Sequence, residues 1–171
     1  IGLEYYQNAT VSIVVDHHAS NEGYGDVNWT KVSEACAENV YHMLDSQCLR
    51  KAAEAEEHPT AADYIYLGIA HDTGGMARAK KSTLLALVDL MSMGVDHGEI
   101  MKTMHSDTLD TLNKRADIIR SARRAMDGKV AYVIMDAKEH TEKKIIYEDI
   151  HCVSTILRDC DDIELGFTMY E

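Results

Sequence analysis

Three adjacent titratable side chains, Asp16-His17-His18, follow directly on the short β-branched run Val11-Ser12-Ile13-Val14-Val15. Such a run suits a strand buried on both faces of a parallel sheet, and open α/β sheets carry their ligand sites at the carboxyl ends of their strands. One imidazole and one carboxylate presented there suit manganese, iron or zinc, leaving the second histidine to bind a phosphoryl oxygen or move a proton. The alternative is a solvated turn that holds two histidines. A second cluster, His71-Asp72-Thr73-Gly74-Gly75, closes an apolar helix. Carboxylate, hydroxyl and paired glycines can present a metal-binding Asp on a tight loop and let an anion approach the backbone, although the same residues also make an ordinary turn. Arg78, Lys80 and Lys81 lie just beyond it. They either pair with substrate phosphates or form a solvated cluster at the start of a helix.

Composition narrows what such clusters could serve. The chain has 171 residues, 46% of them hydrophobic, with 17 Lys and Arg against 29 Asp and Glu for a formal charge of −12. It can bury a real core, but it lacks the clustered cations that neutralise a long nucleic acid, so no long duplex is expected as a partner. A small anionic substrate held through metal is compatible with that charge. Mean hydropathy is −0.27, and no apolar run approaches the roughly 20 residues that span a bilayer, so no membrane partner is expected. Cys36, Cys48, Cys152 and Cys160 show no CxxC spacing and no disulfide-framework density, which favours a reducing, cytoplasmic setting.

The elements that must position these clusters read as an α/β chain. After the first strand, Asn21 to Asp26 is a glycine-bearing loop, and Val32 to Leu44 carries a helical stripe of Val32, Cys36, Val40, Met43 and Leu44. Gln47 to Glu57 is an exposed helix or a connection. Ala61 to Ala70 is an apolar helix with Tyr64, Ile65 and Ile69 on one side, and Ser82 is placed to N-cap a helix through Met93 that Gly94 ends. Helices follow over Asp96 to His105 and, long and charged, Thr108 to Met126. The turn Asp127-Gly128 precedes a strand from Lys129 to Met135, a helix from Asp149 to Cys160 and a strand from Ile163 to Tyr170. The expected organisation is an α/β domain over 1–106, a linker helix over 107–127 and the start of a smaller α/β domain over 128–171.

The runs Val14-Val15-Asp16-His17-His18-Ala19-Ser20-Asn21-Glu22-Gly23-Tyr24-Gly25-Asp26, Glu34-Ala35-Cys36-Ala37-Glu38-Asn39-Val40-Tyr41 and Leu67-Gly68-Ile69-Ala70-His71-Asp72-Thr73-Gly74 together resemble the DHH phosphoesterases, and within them the bacterial nanoRNase and pAp phosphatase branch. Further on, Glu148 to Arg158 and Ile163 to Glu171 look like the first part of the DHH-associated domain. The resemblance implies a parallel-sheet DHH domain joined by the long helix to that smaller domain. It implies a manganese-dependent phosphodiesterase or phosphatase acting on short RNA and on small nucleotides such as pAp. By the resemblance, hydrolysis proceeds by water activation at a two-metal centre, His17 and Asp72 are ligands of one of the two metals, His18 contacts the scissile phosphate, and Asp16 supports the turn from the site floor, so that His18 and Asp16 form the catalytic pair. A cyclic-di-AMP or pApA phosphodiesterase of the same family is an alternative, as is a non-catalytic binding module. Relatives are often dimers, so a homodimer is compatible with the resemblance.

The sequence also departs from the family pattern. The family's upstream His-x-x-x-Asp-x-Asp motif, its lone Asp before DHH and its C-terminal GGGH motif have no counterpart here, so the chain reads as an internal fragment that lacks part of its metal site. Ala35, Cys36 and Ala37 stand where Ser and Thr are common, and Gly75-Met76-Ala77 where an aromatic is usual. Among residues outside the motifs, His42, His58, His97, His105, His140 and His151 are expected at the surface or in helix packing, and His71 in a structural role beside Asp72. Met91, Met93, Met101 and Met104 read as adaptable core. Arg115, Arg120, Arg123 and Arg124 read as a salt-bridged helix face, with contact to a substrate strand as the minority reading.

Overall fold

The computed structural model describes residues 3–55 and 58–170. The chain is mixed α/β, as the sequence implies, and divides after His105 into two units, Ile1–His105 and Ser106–Glu171.

In the first unit α1 (Leu3–Asn8) precedes β1 (Ile13–Asp16), β2 (Val27–Thr30), α2 (Cys36–Met43), α3 (Ser46–Ala55), α4 (Ala61–Asp72), α5 (Lys81–Met91) and α6 (His97–His105). β1 and β2 pair in parallel, with Ile13 opposite Val27 and Asp16 opposite Thr30. β2 falls between the expected loop and the expected helix, and its residues are all exposed, so no apolar alternation announced it. Its start is tied to β1 by Asp26, whose carboxylate accepts hydrogen bonds from the Ser12 amide and hydroxyl at 2.8 Å each. The second helix consequently begins at Cys36 rather than Val32. The expectation of a strand buried on both faces is corrected as well: within β1 only Val14 is buried, while Ile13 is 62% exposed.

The core of this unit is helical and centres on α4, which packs against α2, α3, α5 and α6. Tyr66, Ile69, Leu87 and Leu90 are buried there together with Leu49 and Ala53, so α3 lays one face on the core rather than lying free. Glu56 and Glu57, at the end of the expected third segment, lie outside the described residues. Tyr66 takes the buried place on α4 and Tyr64 is exposed, because Tyr66 and Ile69 fall on the same side at i, i+3 spacing. The Tyr66 hydroxyl reaches His97 Nδ1 at 2.8 Å. At the start of α4 the Thr60 amide donates to Asp63 Oδ2 at 2.6 Å. α5 starts at Lys81 with Lys80 as its N-cap, which places Ser82 inside the first turn and not at the cap. Met93 is buried and Met101 and Met104 pack on the core, but Met91 is exposed.

The second unit comprises α7 (Leu109–Arg120), β3 (Arg123–Ala125), β4 (Val130–Met135), α8 (Ala137–Glu142), α9 (Tyr147–Arg158) and β5 (Leu165–Tyr170). The helix expected to run to Met126 ends at Arg120, and Arg123 and Arg124 belong to an edge strand antiparallel to β4. β5 lies parallel to β4 on its other side. Ile118 of α7 shares a core with Val133 and Val153, so the segment read as a linker packs within this unit. Arg115 donates from Nε to Asp149 Oδ1 at 3.1 Å and from Nη1 to Asp107 Oδ2 at 2.5 Å. Arg120 pairs with Asp117 and Arg124 with Asp162, in keeping with the salt-bridged reading of these arginines.

Gly166 of β5 touches the last turn of α9: a Cβ built there would lie 2.5 Å from the Arg158 amide nitrogen and 2.7 Å from the Leu157 carbonyl carbon. Both are backbone atoms that no rotamer change can move. Gly166→Ala is expected to destabilise the protein by about 1–3 kcal/mol, the usual cost of overpacking. Denaturant unfolding of the variant beside the parent checks this.

No helix among the described residues is long and apolar enough to cross a membrane.

Candidate metal centre

β1 delivers Asp16 to the carboxyl end of the sheet, and its carboxylate folds back over the turn that follows. Oδ1 accepts hydrogen bonds from the His17 amide at 2.7 Å, the His18 amide at 3.2 Å and His18 Nδ1 at 2.8 Å. Oδ2 accepts from Asn21 Nδ2 at 2.5 Å. The Asn21 amide, then His18 and the two backbone N–H groups, hold this carboxyl far below its ordinary range. A lowered carboxyl favours the folded turn in its ionised form. Its contribution is complete above the ordinary Asp range and is lost as the pH falls below about 4 toward the folded value.

Asp16, His17 and His18 bring ligand-type atoms within 4.8 Å of one another, but the hydrogen bonds divide their roles. Asp16 spends both oxygens on the turn. His18 must carry a proton on Nδ1 to donate to Asp16, which leaves its Nε2 edge outward on a side chain that is 68% exposed. His17 Nδ1 lies 3.2 Å from the Ser33 carbonyl oxygen, and a carbonyl can only accept, so Nδ1 carries a proton and, in the neutral ring, Nε2 is the nitrogen with the lone pair. That Nε2 faces Asp72 Oδ2 at 4.0 Å. Fixing a histidine tautomer through its other nitrogen is how proteins orient imidazole ligands. The structure thus brings together His17 and Asp72, the two residues expected as metal ligands, from loops 55 positions apart in sequence.

Asp72 ends α4, and the next residues form a tight loop. Thr73 is buried, donates from Oγ1 to the Ile69 carbonyl at 2.7 Å and accepts from the Met76 amide at 3.1 Å. Gly74, Gly75 and Met76 follow with φ of 63°, 65° and 75°, a left-handed run that two glycines make affordable. Arg78 Nη2 donates to the Asp72 carbonyl at 2.8 Å, and a Cβ on Gly74 would meet that guanidinium at 2.9 Å. Arg78 therefore holds the loop that presents Asp72. Lys80 pairs with Glu34 at 2.5 Å, which raises its pKa, and Lys81 is exposed at the first position of α5. His71 is exposed beside Asp72, with Nδ1 at 3.6 Å from Oδ1.

Two residues of α2 support the turn without having been expected at the site. Fully buried Asn39 on α2 donates from Nδ2 to the Asp16 carbonyl at 2.9 Å and to the Lys31 carbonyl at 2.8 Å, tying the ends of β1 and β2 to one helix. A polar side chain on the apolar stripe between Cys36 and Val40 was the available signal. Asn39→Leu removes both bonds and is expected to cost about 1–3 kcal/mol, read as a lowered thermal midpoint. Cys36 donates from Sγ to the Val15 carbonyl at 3.2 Å. Burial, then the charges of Asp16 and Asp72, push its thiol pKa up, so it stays protonated and is no nucleophile.

The donor set tests the fit of a metal. One neutral imidazole nitrogen and one carboxylate oxygen, both oriented by other groups, match what manganese, iron or zinc accepts. Among the described residues these are two candidate ligands, fewer than a complete centre needs.

No protein-family model matches this sequence. Among solved structures, the chain is similar to an exopolyphosphatase-related protein from Bacteroides fragilis, with a TM-score of 0.77 and 18% identity over 93% of this chain. At that identity the likeness shows the fold alone. The alignment covers 47% of the other chain, so this sequence spans about half its length.

Proposed function

We propose that the chain carries the DHH loop and part of the metal centre of a DHH-type phosphoesterase, a manganese-dependent hydrolase of short oligoribonucleotides and small nucleotides such as pAp. The observation that carries this reading is the pairing of His17 Nε2 with Asp72 Oδ2 at 4.0 Å, with the tautomer set by Ser33. The similarity to an exopolyphosphatase-related structure supports a phosphoesterase-type fold.

In this reading His17 and Asp72 hold the metal, which when bound acidifies a water and neutralises charge on the phosphoryl group. The chain's own residues do the rest. Asp16 sets the orientation of His18, whose Nε2 edge points outward to meet a phosphoryl oxygen and, when protonated, donates a charge-assisted hydrogen bond. Arg78 holds the Asp72 loop in place, and Lys80 and Lys81 lie further along it as candidates for a phosphate remote from the scissile one. No protein nucleophile is needed, since Cys36 stays protonated.

A binding-module reading draws on one observation, that only His17 and Asp72 face each other as ligands among the described residues. The discriminating experiment is hydrolysis of pAp, a labelled diribonucleotide and pApA with and without manganese. Manganese-dependent cleavage of pAp or the diribonucleotide is expected. Cleavage of pApA alone would move the assignment to the cyclic-di-AMP and pApA phosphodiesterases, and no cleavage of any of the three without manganese uptake would overturn the enzyme reading.

A further inference from the structure

Two cavities adjoin along one side of α4. One, of about 590 Å³, starts at Asp72 and is walled by Ala37, Leu67, Gly68 and Met104, with Tyr64 at its border. The other, of about 580 Å³, shares Tyr64, Leu67 and Thr103 with the first and continues to Asp63, Asp96 and Glu99. Shared walls make them one trough that runs from the candidate metal ligand Asp72, over apolar side chains, to an acidic end. Its volume lies in the range of small-molecule sites. No Lys or Arg lines either part among the described residues; the lining imidazoles are His71, beside Asp72, and His58, whose Nδ1 lies 2.7 Å from Asp63 Oδ2.

We propose that this trough receives the uncharged, ring-bearing part of a phosphate ester whose phosphate sits at His17 and Asp72, and that Tyr64, Leu67 and Met104 thereby select against inorganic polyphosphate. The inference rests on the phosphoesterase reading above and adds to it which residues choose the substrate. Leu67 and Met104 are half-buried and Tyr64 is exposed, so apolar surface and an aromatic ring stand ready beside the ligand Asp72. A flat ring laid there removes apolar area from water on both partners and can stack on Tyr64. A polyphosphate chain leaving the same phosphate would bring a charge with each further unit. Past His71 at the Asp72 end it would meet an apolar wall without Lys or Arg, and then Asp96 and Glu99 and the Asp63 carboxylate that already engages His58, an arrangement that repels it.

The test uses carbon–phosphorus analogues, which resist hydrolysis, so that binding is read apart from turnover. Phenylphosphonate and methylphosphonate share one head group and differ only in the ring. Titration calorimetry on the full chain at fixed free manganese is expected to give at least 10-fold tighter binding of phenylphosphonate. Met104→Lys is expected to cut that ratio to about 3-fold or less and to raise the affinity for inorganic triphosphate at least 5-fold, and Tyr64→Ala to cut the ratio alone. Equal binding of the two phosphonates by the parent chain overturns the inference and leaves the phosphoesterase reading standing. Absence of binding by both, with no manganese uptake, overturns the phosphoesterase reading and the inference with it.

Discussion

A His17→Ala variant is expected to lose on the order of 100-fold or more of manganese-dependent phosphoester hydrolysis. Partners that merely orient a metal ligand commonly carry about 10- to 100-fold in metal affinity or activity, and a ligand itself belongs at or above the upper end of that range. Nothing nearby can replace His17. Asp16 has both carboxylate oxygens engaged by the turn, the His18 ring is held by Asp16, and His71 lies on the opposite oxygen of Asp72. The fold should survive, because the side chain gives up one hydrogen bond at 3.2 Å to the Ser33 carbonyl. Steady-state hydrolysis with circular dichroism on the same preparation separates the two effects. A His17→Gln variant, which cannot both donate to Ser33 and present a neutral nitrogen lone pair, should be nearly as impaired.

Asp16→Ala is the second large effect, and it differs in kind. It removes the acceptor for two backbone amides, the His18 ring and the Asn21 side chain at once. His18 then loses the bond that fixes its tautomer and direction. We expect hydrolysis to fall by about 30- to 100-fold, with manganese affinity falling less, because His17 is also held through Ser33. That split distinguishes a positioning residue from a ligand. Loss of manganese binding equal to that in His17→Ala would place Asp16 in the metal's coordination sphere instead.

How much of this was legible depended on whether the signal was local. The turn Asp16-His17-His18 and the loop Asp72-Thr73-Gly74 were readable as candidate sites, because the residues that define each sit side by side and follow an apolar element. The four-residue strand at Val27 to Thr30 was not, since its residues are all exposed and it exists through pairing with Ile13 to Asp16. Arg123 and Arg124 extended a helical pattern in charge and spacing, yet they pair with Tyr132 and Ala131 in a sheet, a tertiary preference that overrides local propensity. The short helix Ala137–Glu142 did carry a local signal, an Asp136 whose Oδ1 accepts from the Glu139 amide at 2.8 Å, but six residues without an apolar face gave no periodicity to read. At the site, Asn39 acts on backbone carbonyls distant in sequence and Ser33 acts through its own backbone carbonyl, so residue types along the chain could not reveal them, while Asn21 reaches Asp16 only because the turn folds back over five residues. Arg78 was legible as a cation near Asp72, while its bond to the Asp72 carbonyl needed the loop's left-handed path.

In the proposed phosphoesterase His17 Nε2 and Asp72 share one metal. Pulsed electron paramagnetic resonance on the manganese-loaded chain tests it most directly, because a coordinated imidazole imprints nitrogen modulation on the manganese spin. Nitrogen modulation is expected in the parent protein, with its loss in His17→Ala and weakened manganese binding in Asp72→Ala. Nitrogen modulation that persists unchanged in His17→Ala, or bound manganese with no nitrogen in the parent, would contradict it.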